Sequence, residues 1–282
     1  MTLRDVTRKD FTAARRSRAL WAVATFLGLM TAVIAFGVSG YRLTPRETVI
    51  QLFRTMGGVF GLLLPIVALV ASYMAIAGER ESGGVKFLLG LPNSRRDVFL
   101  GKLASRLGVV TAGVAFMFAT ATAMAVARNG ALPLGVIVGM FVVSWLYAAV
   151  FVAVAVSLSA AVAERSRAIA AAVGSYFGLV LLYVIPGVSV ALLVRYVHQT
   201  LLGFEANVDL YNAILYTSPL IAYRKAMNLV VPSEFEREVL QRAGEGDTLP
   251  AYLGDEMSLL VFAVWLAVPL ALGYWRFQGA DL

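Results

Sequence analysis

The chain has 282 residues, of which 60% are hydrophobic and only 15% are charged, and this composition excludes an ordinary soluble domain. Its net charge of +7 does not indicate nucleic-acid binding, because the basic residues lie in short stretches between apolar runs and form no nucleic-acid motif. The absence of cysteine excludes disulfides, iron–sulfur clusters and thiolate metal sites.

Six apolar segments follow one another along the chain, and each is long enough to cross a bilayer. About 20 helical residues at 1.5 Å per residue span the roughly 30 Å of hydrocarbon, and runs of this length favour helices over the short strands of membrane barrels. The predicted transmembrane helices cover residues 19–40, 57–77, 107–127, 134–163, 168–194 and 258–275. The predicted fold class is therefore an all-α integral membrane protein, with one transmembrane domain over residues 1–282.

Residues 1–18 precede the first predicted span and mix apolar with charged side chains. Leu3, Val6, Phe11 and Ala14 recur at a spacing that predicts a short amphipathic helix lying at the membrane interface. A merely polar tail is the alternative. The apolar run that follows is about twice as long as the core of a signal peptide, which favours a retained span.

The distribution of basic residues predicts the orientation. The N-terminal tail, residues 78–106, residues 164–167 and the C-terminal tail together hold 15 of the 24 Lys and Arg residues. Because short basic loops stay on the cytoplasmic side, both termini are predicted to face the cytoplasm, with the chain in the cell membrane.

With this orientation, residues 195–257 are predicted to form an insert on the outer side, between the fifth and sixth spans. Its apolar stretch could be read as a seventh span, but Asp209, Ser218-Pro219 and Arg224-Lys225 interrupt it. We therefore predict interfacial or re-entrant helices that pack on the bundle.

None of the six segments contains Asp, Glu, Lys, Arg or His. Carriers coupled to protons or sodium usually place an ionisable residue at membrane depth, so a self-powered transporter is disfavoured. The chain also lacks a G-x-x-x-x-G-K-[ST] phosphate loop. The sequence predicts that the chain is not itself an enzyme, and that any energy comes from a separate ATPase.

Two weaker patterns could indicate a catalytic site or a metal site. Gly37-Val38-Ser39-Gly40 matches the G-x-S-G of intramembrane serine proteases, and His198 is the only histidine. A Ser–His pair can activate a hydroxyl, but Ser39 lies at a helix exit, so a turn and an interfacial histidine are the simpler interpretation. The methionines are scattered, which indicates core packing. No cofactor or metal site is predicted.

Three G-x-x-x-G patterns indicate close helix contacts. They could pack within one bundle or across a dimer, and we favour packing within the bundle. The pairs are Gly57/Gly61, Gly135/Gly139 and Gly174/Gly178.

The most informative stretch is residues 79–102, which we call the charged segment. Gly83-Gly84 permits a sharp break after the second span, and Pro92 ends a short apolar stretch. Ser94 with Asp97 matches a capping box, which predicts a helix from about Arg95 into the third span. A solvated loop that follows only the positive-inside rule is the plainer alternative.

The pattern Gly-Glu-Arg-Glu-Ser-Gly-Gly, then Lys-Phe-Leu-Leu, Leu-Pro-Asn-Ser-Arg-Arg and Gly-Lys-Leu resembles a loop of the ABC-2 type permeases, in particular their NosY-like branch. In that family the loop joins the second and third spans and reads E-x-E-x-G-(T/S)-(L/V)-x-x-L-L-x-x-P-x-S-R, followed by G-K. The one departure is Gly84, where Thr or Ser is usual.

The resemblance implies a permease that pairs with a second copy of itself and with two ATPase subunits, and it leaves room for an extracytoplasmic accessory protein. The loop would be a coupling helix seated in a cleft of the ATPase, for ATP-driven export or mechanotransmission, with copper-site assembly as one role of the branch. The alternative is a non-transporting membrane scaffold that anchors a soluble enzyme. The contact and hinge candidates carried over are Glu79, Glu81, Gly83, Lys86, Pro92, Ser94, Arg95, Gly101 and Lys102.

Overall fold

The computed structural model describes residues 3–15, 18–37, 43–84, 94–185, 190–231 and 254–279. These residues form helices and connecting turns, and no strand occurs among them. The helices in chain order are α1 (Leu3–Arg15), α2 (Arg18–Gly37), α3 (Pro45–Ser72), α4 (Ala77–Glu81), α5 (Arg95–Asn129), α6 (Leu134–Ala161), α7 (Arg165–Leu179), α8 (Val190–Arg195), α9 (Val208–Tyr216), α10 (Pro219–Val230) and α11 (Met257–Gln278).

The helices have the lengths and composition of a membrane protein. Among the described residues, five helical stretches are long and apolar enough to span a bilayer: α3 together with α4 (Pro45–Glu81), Arg95–Asn129, Leu134–Ala161, Arg165–Tyr183 and Met257–Gln278. The apolar part of α2 recognised among the described residues, Thr25–Gly37, is shorter. The all-helical membrane fold is thus supported, and the first of the six predicted spans, residues 19–40, stays a prediction.

Helix α6 lies at the centre of the bundle and contacts α3, α5, α10 and α11. It is apolar on every side, as expected of a helix surrounded by other helices. Tyr147 and Phe151 in its middle are fully buried, and the two rings meet edge to face with centroids 5.2 Å apart. The core therefore forms around α6.

The helix that carries the second predicted span, residues 57–77, does not share the bounds of the apolar run. Helix α3 begins at Pro45, where Thr44 Oγ1 accepts from the Glu47 amide and the Glu47 carboxylate accepts from the Thr44 amide. It ends at Ser72. An apolar run marks only the part of a helix that lies in hydrocarbon, whereas the capping box marks its start.

The fifth predicted span, residues 168–194, is not one continuous helix. Helix α7 ends at Leu179 and a 3₁₀ turn covers Leu181–Tyr183, while α8 begins separately at Val190. The sequence between them contains Pro186-Gly187. Proline lacks the amide that a helix needs and glycine favours helix ends, so the break had a signal in the sequence.

Part of the predicted outer insert enters the bundle as α10. Tyr223 of α10 stacks on Tyr147 of α6 with centroids 4.3 Å apart, and it lies against Gly61 of α3. The carbonyl of Thr217, just before α10, accepts from Trp265 Nε1 at 2.8 Å. Because Trp265 lies eight residues into α11, this contact is about 12 Å along that helix. Residues 232–253 of the insert lie outside the described part.

Candidate functional site

The flanks of the charged segment lie at one end of the bundle, which we call the basal end. There α4, α6 and α11 finish, while α5 and α7 begin. The opposite end, where α3, α6 and α11 begin, is the distal end. Lys86 and Pro92 fall in residues 85–93, outside the described residues. The site is therefore built from the two flanks of the charged segment, residues 79–84 (the first flank) and 94–102 (the second flank).

The second flank starts with the predicted capping box. Ser94 Oγ accepts from the Asp97 amide at 3.1 Å, and the Asp97 carboxylate accepts from the Ser94 amide at 3.1 Å. The carboxylate also accepts from the Ser94 hydroxyl at 2.6 Å. Mainly this hydroxyl, and then the Ser94 amide, lowers the pKa of Asp97 below its usual value. The prediction that a helix begins at Arg95 is confirmed.

A group of four charges around the buried Lys102 and Asp10 joins α1, α4 and α5, and we call it the ion cluster. Lys102 Nζ donates to Asp10 at 2.6 Å and to Glu79 at 2.5 Å, and Arg106 lies 3.2 Å from Asp10. Lys102 is only 3% exposed. Two acids and two bases balance in charge, as buried ions require. Lys102 and Glu79 therefore hold three elements together in this structure.

Gly101, the neighbour of Lys102, takes part through its backbone. Its carbonyl accepts from Thr7 Oγ1 of α1 at 3.3 Å. The ring of Phe11 lies against Gly108, so α1 packs along the start of α5. One face of the predicted amphipathic N-terminal helix, α1, therefore packs against α5.

Adjacent residues of α4 bind the ends of two further helices. Arg80 Nη1 donates to the carbonyls of Ala160 and Val162, at 3.2 and 3.3 Å, where α6 ends. The Glu81 carboxylate accepts from the amide of Arg165 at 3.0 Å, where α7 begins. Each charge has the sign that the helix end favours. Burial is the first cause that lowers the pKa of Arg80.

Arg95 binds the end of the last helix. Its Nη1 atom donates to the carbonyls of Phe277 and Gln278 at 2.9 and 2.6 Å. Arg106 does the same for α3, donating to Ala71 at 3.2 Å. Arginine forms such bonds well because its guanidinium carries several donors in a fixed plane. The flanks are thus bonded to α1, α6, α7 and α11.

The remaining predicted residue with a described backbone is Gly83, just after α4. Its φ of +73° lies in the left-handed region that glycine adopts without strain. This turn leads the chain out of α4 towards residues 85–93. Arg96, which was not among the predicted contacts, is exposed beside Arg95.

Sequence reasoning missed Asp10, Arg80 and Arg106. Asp10 had a signal, because it lies four residues from both Val6 and Ala14 and so falls on the apolar face of α1. For Arg80 and Arg106, the sequence contains no signal beyond the positive-inside rule. Their partners lie far away in the sequence, and only the fold brings them together.

The weaker candidates lie elsewhere. Ser39 is outside the described residues. His198 Nδ1 lies 3.1 Å from the Tyr211 hydroxyl, in the predicted outer insert. Within the described ranges, no group of three or more His, Cys, Asp or Glu is placed to hold a metal ion.

The glycines of the three pairs divide into two groups. Gly57 and Gly61 of α3 and Gly139 of α6 lie directly against side chains of α10, which is the packing within the bundle that we expected. Gly135 of α6 and Gly174 and Gly178 of α7 have nothing within 4 Å of a Cβ placed on them, among the described residues. The expected internal packing is therefore observed for the α3 pair and for Gly139, and not for Gly135 or the α7 pair.

The sequence is similar to known proteins over nearly its whole length. The sequence model of a family described as ABC-2 family transporter protein matches residues 4–282. A protein of Pseudomonas aeruginosa named "Probable ABC transporter permease protein NosY" is 27% identical over 95% of this chain and 92% of the relative. The protein of the same name from Stutzerimonas stutzeri is 28% identical over 97% of both.

Proposed function

The chain belongs to the ABC-2 family of transporter proteins, and from that premise we propose that it converts movements of a separate ATPase into movements of its own spans. In this proposal the chain is the permease subunit, the charged segment is its coupling loop, and the ATPase binds there in two copies, one for each permease. The basal end faces the cytoplasm, as the basic residues suggest, and both termini lie on that side of the cell membrane.

The observation that carries the proposal is the set of bonds at the basal end. The flanks of one loop are bonded to the ends of α6, α7 and α11 and to α1. A push on this loop therefore reaches several spans at once, as rigid-body transmission requires. A loop that served only as a solvated connection would need none of these bonds.

The partner's contact and the transmission of movement use different residues in this proposal. Exposed Arg96, with Lys86 from the middle of the segment, supplies the contact. Arg95 and Lys102 point back into the protein and carry the movement to α11 and α1. We therefore expect charge reversal at the first pair to weaken ATPase binding, and changes at the second pair to uncouple ATP turnover.

The experiment is co-purification of the chain with its ATPase. We expect Lys86→Glu with Arg96→Glu to abolish co-elution, because both cations are reversed. Arg167→Glu is the matched control, since Arg167 is another basal cation and its side chain is 71% exposed. Equal binding by the wild type and the double variant would contradict the contact. Binding without any change in ATP turnover would favour the scaffold alternative.

We also propose that the permease works as a homodimer. The outer face of α7 is apolar, with Ile169, Val173 and Phe177 exposed, and Gly174 and Gly178 leave room on that helix for a close neighbour. Gly174→Leu with Gly178→Leu should shift the purified chain from dimer to monomer. Gly113→Leu, at another glycine with no neighbour within 4 Å, serves as the control.

The proposal also extends to the substrate that the system handles. The two relatives are named NosY permeases, and a role in copper-site assembly follows from likeness to that branch. In such a system the chain would supply movement, and a partner, including an extracytoplasmic accessory protein, would handle the metal. Sodium, drug and lipid export are the other classes that a transport assay should include.

A further inference from the structure

The path from α3 into the charged segment is broken at residues 73–76. Helix α3 ends at Ser72 and α4 begins at Ala77, with turns between them. The amides of Ile76 and Ala77 both donate to a single oxygen on another helix, Ser159 Oγ of α6, at 3.0 and 2.9 Å. One hydroxyl can accept both bonds because its oxygen carries two lone pairs. Ser159 thus caps α4 from a neighbouring helix.

The three residues of this contact are buried. Ile76 and Ala77 are buried completely, and so is Ser159. Helix α4 has no cap of its own, since the residue before it is Ile76, whose side chain makes no capping bond. A buried amide without a partner is costly, so the geometry of the break depends on this one hydroxyl.

The same short stretch of α6 also holds the other end of α4. Arg80 donates to Ala160 and Val162, the residues that follow Ser159 closely. The two contacts are reciprocal: Ser159 satisfies amides at the start of α4, and Arg80 satisfies carbonyls at the end of α6. Helix α4 is therefore seated on α6 by polar, reversible bonds at both its ends.

We propose that residues 73–76 form the hinge of the charged segment and that Ser159 is the positioning residue that sets its resting angle. A hinge needs a few residues at an element end that absorb changes in φ and ψ, and the turns at 73–76 provide them. The bonds to Ser159 hold the angle. This inference rests on the proposed function in one respect, namely that the charged segment moves.

The first test measures the hydrogen bonds directly, on the purified chain in lipid nanodiscs. Ser159→Ala should make the amides of Ile76 and Ala77 exchange with solvent about tenfold faster, since each loses its acceptor. Ser159→Thr keeps a hydroxyl and should restore the slow exchange. Ser157→Ala is the matched control: Ser157 is a nearby buried serine of α6, and its hydroxyl has no hydrogen-bond partner among the described residues.

The second test measures the angle of the hinge. The chain contains no cysteine, so two spin labels can be placed without background, one at Gly58→Cys on α3 and one at Ser82→Cys after α4. Both positions are exposed. The distance distribution between the labels should be narrow in the wild-type background, in Ser157→Ala and in Ser159→Thr. It should broaden in Ser159→Ala.

The outcomes separate this inference from the proposed function, because neither test needs the ATPase. Unchanged exchange and an unchanged distribution in Ser159→Ala would overturn the inference, whether or not an ATPase binds. Broadening restored by Ser159→Thr supports it. If the ATPase then binds but never shifts the distance, the hinge stands and the coupling role of the charged segment is wrong.

Discussion

The basal end of the bundle and the packing around α10 depend on different kinds of contact. At the basal end, helices are joined by the ion cluster and by arginine bonds to carbonyls. Helix α10 is held by ring stacking and by close approach to glycines, such as Val230 against Gly139. Directional bonds can be exchanged one at a time, whereas close packing resists any shift. We therefore assign transmission to the basal end and rigidity to the packing around α10.

The two kinds of contact also differ in where they lie along the helices. The basal bonds of Arg80, Glu81 and Arg95 join the ends of α6, α7 and α11, where a small rotation of a helix produces a larger displacement farther along the span. The stack of Tyr147 on Tyr223 lies well inside the bundle, and it is closed by two hydrogen bonds: Tyr147 to the Gly61 carbonyl at 2.8 Å and Tyr223 to Ser144 at 3.0 Å. Polar groups there complete the packing and do not join separate moving parts.

The largest effect is expected from Lys102→Met in the ion cluster. The change leaves Asp10 and Glu79 without their shared cation, and breaking a buried ion pair in this way costs about 3–5 kcal/mol of unfolding free energy. Thermal unfolding of the purified chain measures it. Arg96→Met, an exposed cation of the same helix, should change little; equal losses in the two variants would remove the ion cluster from the account.

Tyr223→Phe tests the packing around α10, and we expect a smaller loss. The stacked ring remains and only the bond to Ser144 is lost, so the unfolding free energy should fall by about 1 kcal/mol. Chemical unfolding in mild detergent compares it with Tyr196→Phe, at a side chain that is 55% exposed. A loss as large as that of Lys102→Met would mean that the packing around α10 depends on polar bonds too.

Arg95→Gln tests whether the charged segment transmits movement to α11, separately from its effect on stability. The variant loses cationic bonds at the end of α11, which are typically worth about 0.3–1 kcal/mol, so unfolding should change little. ATPase binding should also persist, while stimulation of ATP turnover by the permease should drop. Turnover that stays at the wild-type level, with Phe277 and Gln278 released, would contradict transmission through this contact.

The smallest effect concerns pH at the two capping boxes. The pKa values of Asp97 and Glu47 are lowered in the fold, so both boxes stabilise above the unfolded pKa and the effect disappears as pH falls through the folded pKa. Acidification below about pH 4 should therefore lower the melting temperature slightly. Asp97→Asn should remove the basal share of this dependence and Glu47→Gln the distal share. A dependence that survives both changes has another origin.

The sequence predicted the features whose cause is local. Ser94 and Asp97 are three residues apart, so the start of α5 could be read directly, and the long apolar runs gave the membrane class. The pairing of Lys102 with Asp10 joins residues 92 positions apart, and no local pattern encodes it. Hydropathy does not reveal the break after α7, because the run remains apolar through Pro186-Gly187, and only the helix-breaking character of these two residues signals it.

The contacts of the charged segment show the same limit. Its motif indicated which residues matter but not the direction in which they point, and Lys102 and Arg95 turn inward to helices that are distant in sequence. Arg96 beside them is exposed because each step along a helix turns by about 100°. Orientation of this kind depends on how α5 packs against α1 and α11.

The most direct measurement of the central claim is a pair of label distances in the complex of the chain with its ATPase, with and without ATP. One pair joins Ser82→Cys to Gly58→Cys on α3, and the other joins Ser82→Cys to Gly279→Cys after α11. We expect ATP to shift the first distance and to leave the second nearly unchanged, because Arg95 bonds the charged segment to α11. A fixed first distance, or a second that changes as much, would contradict transmission through the basal end.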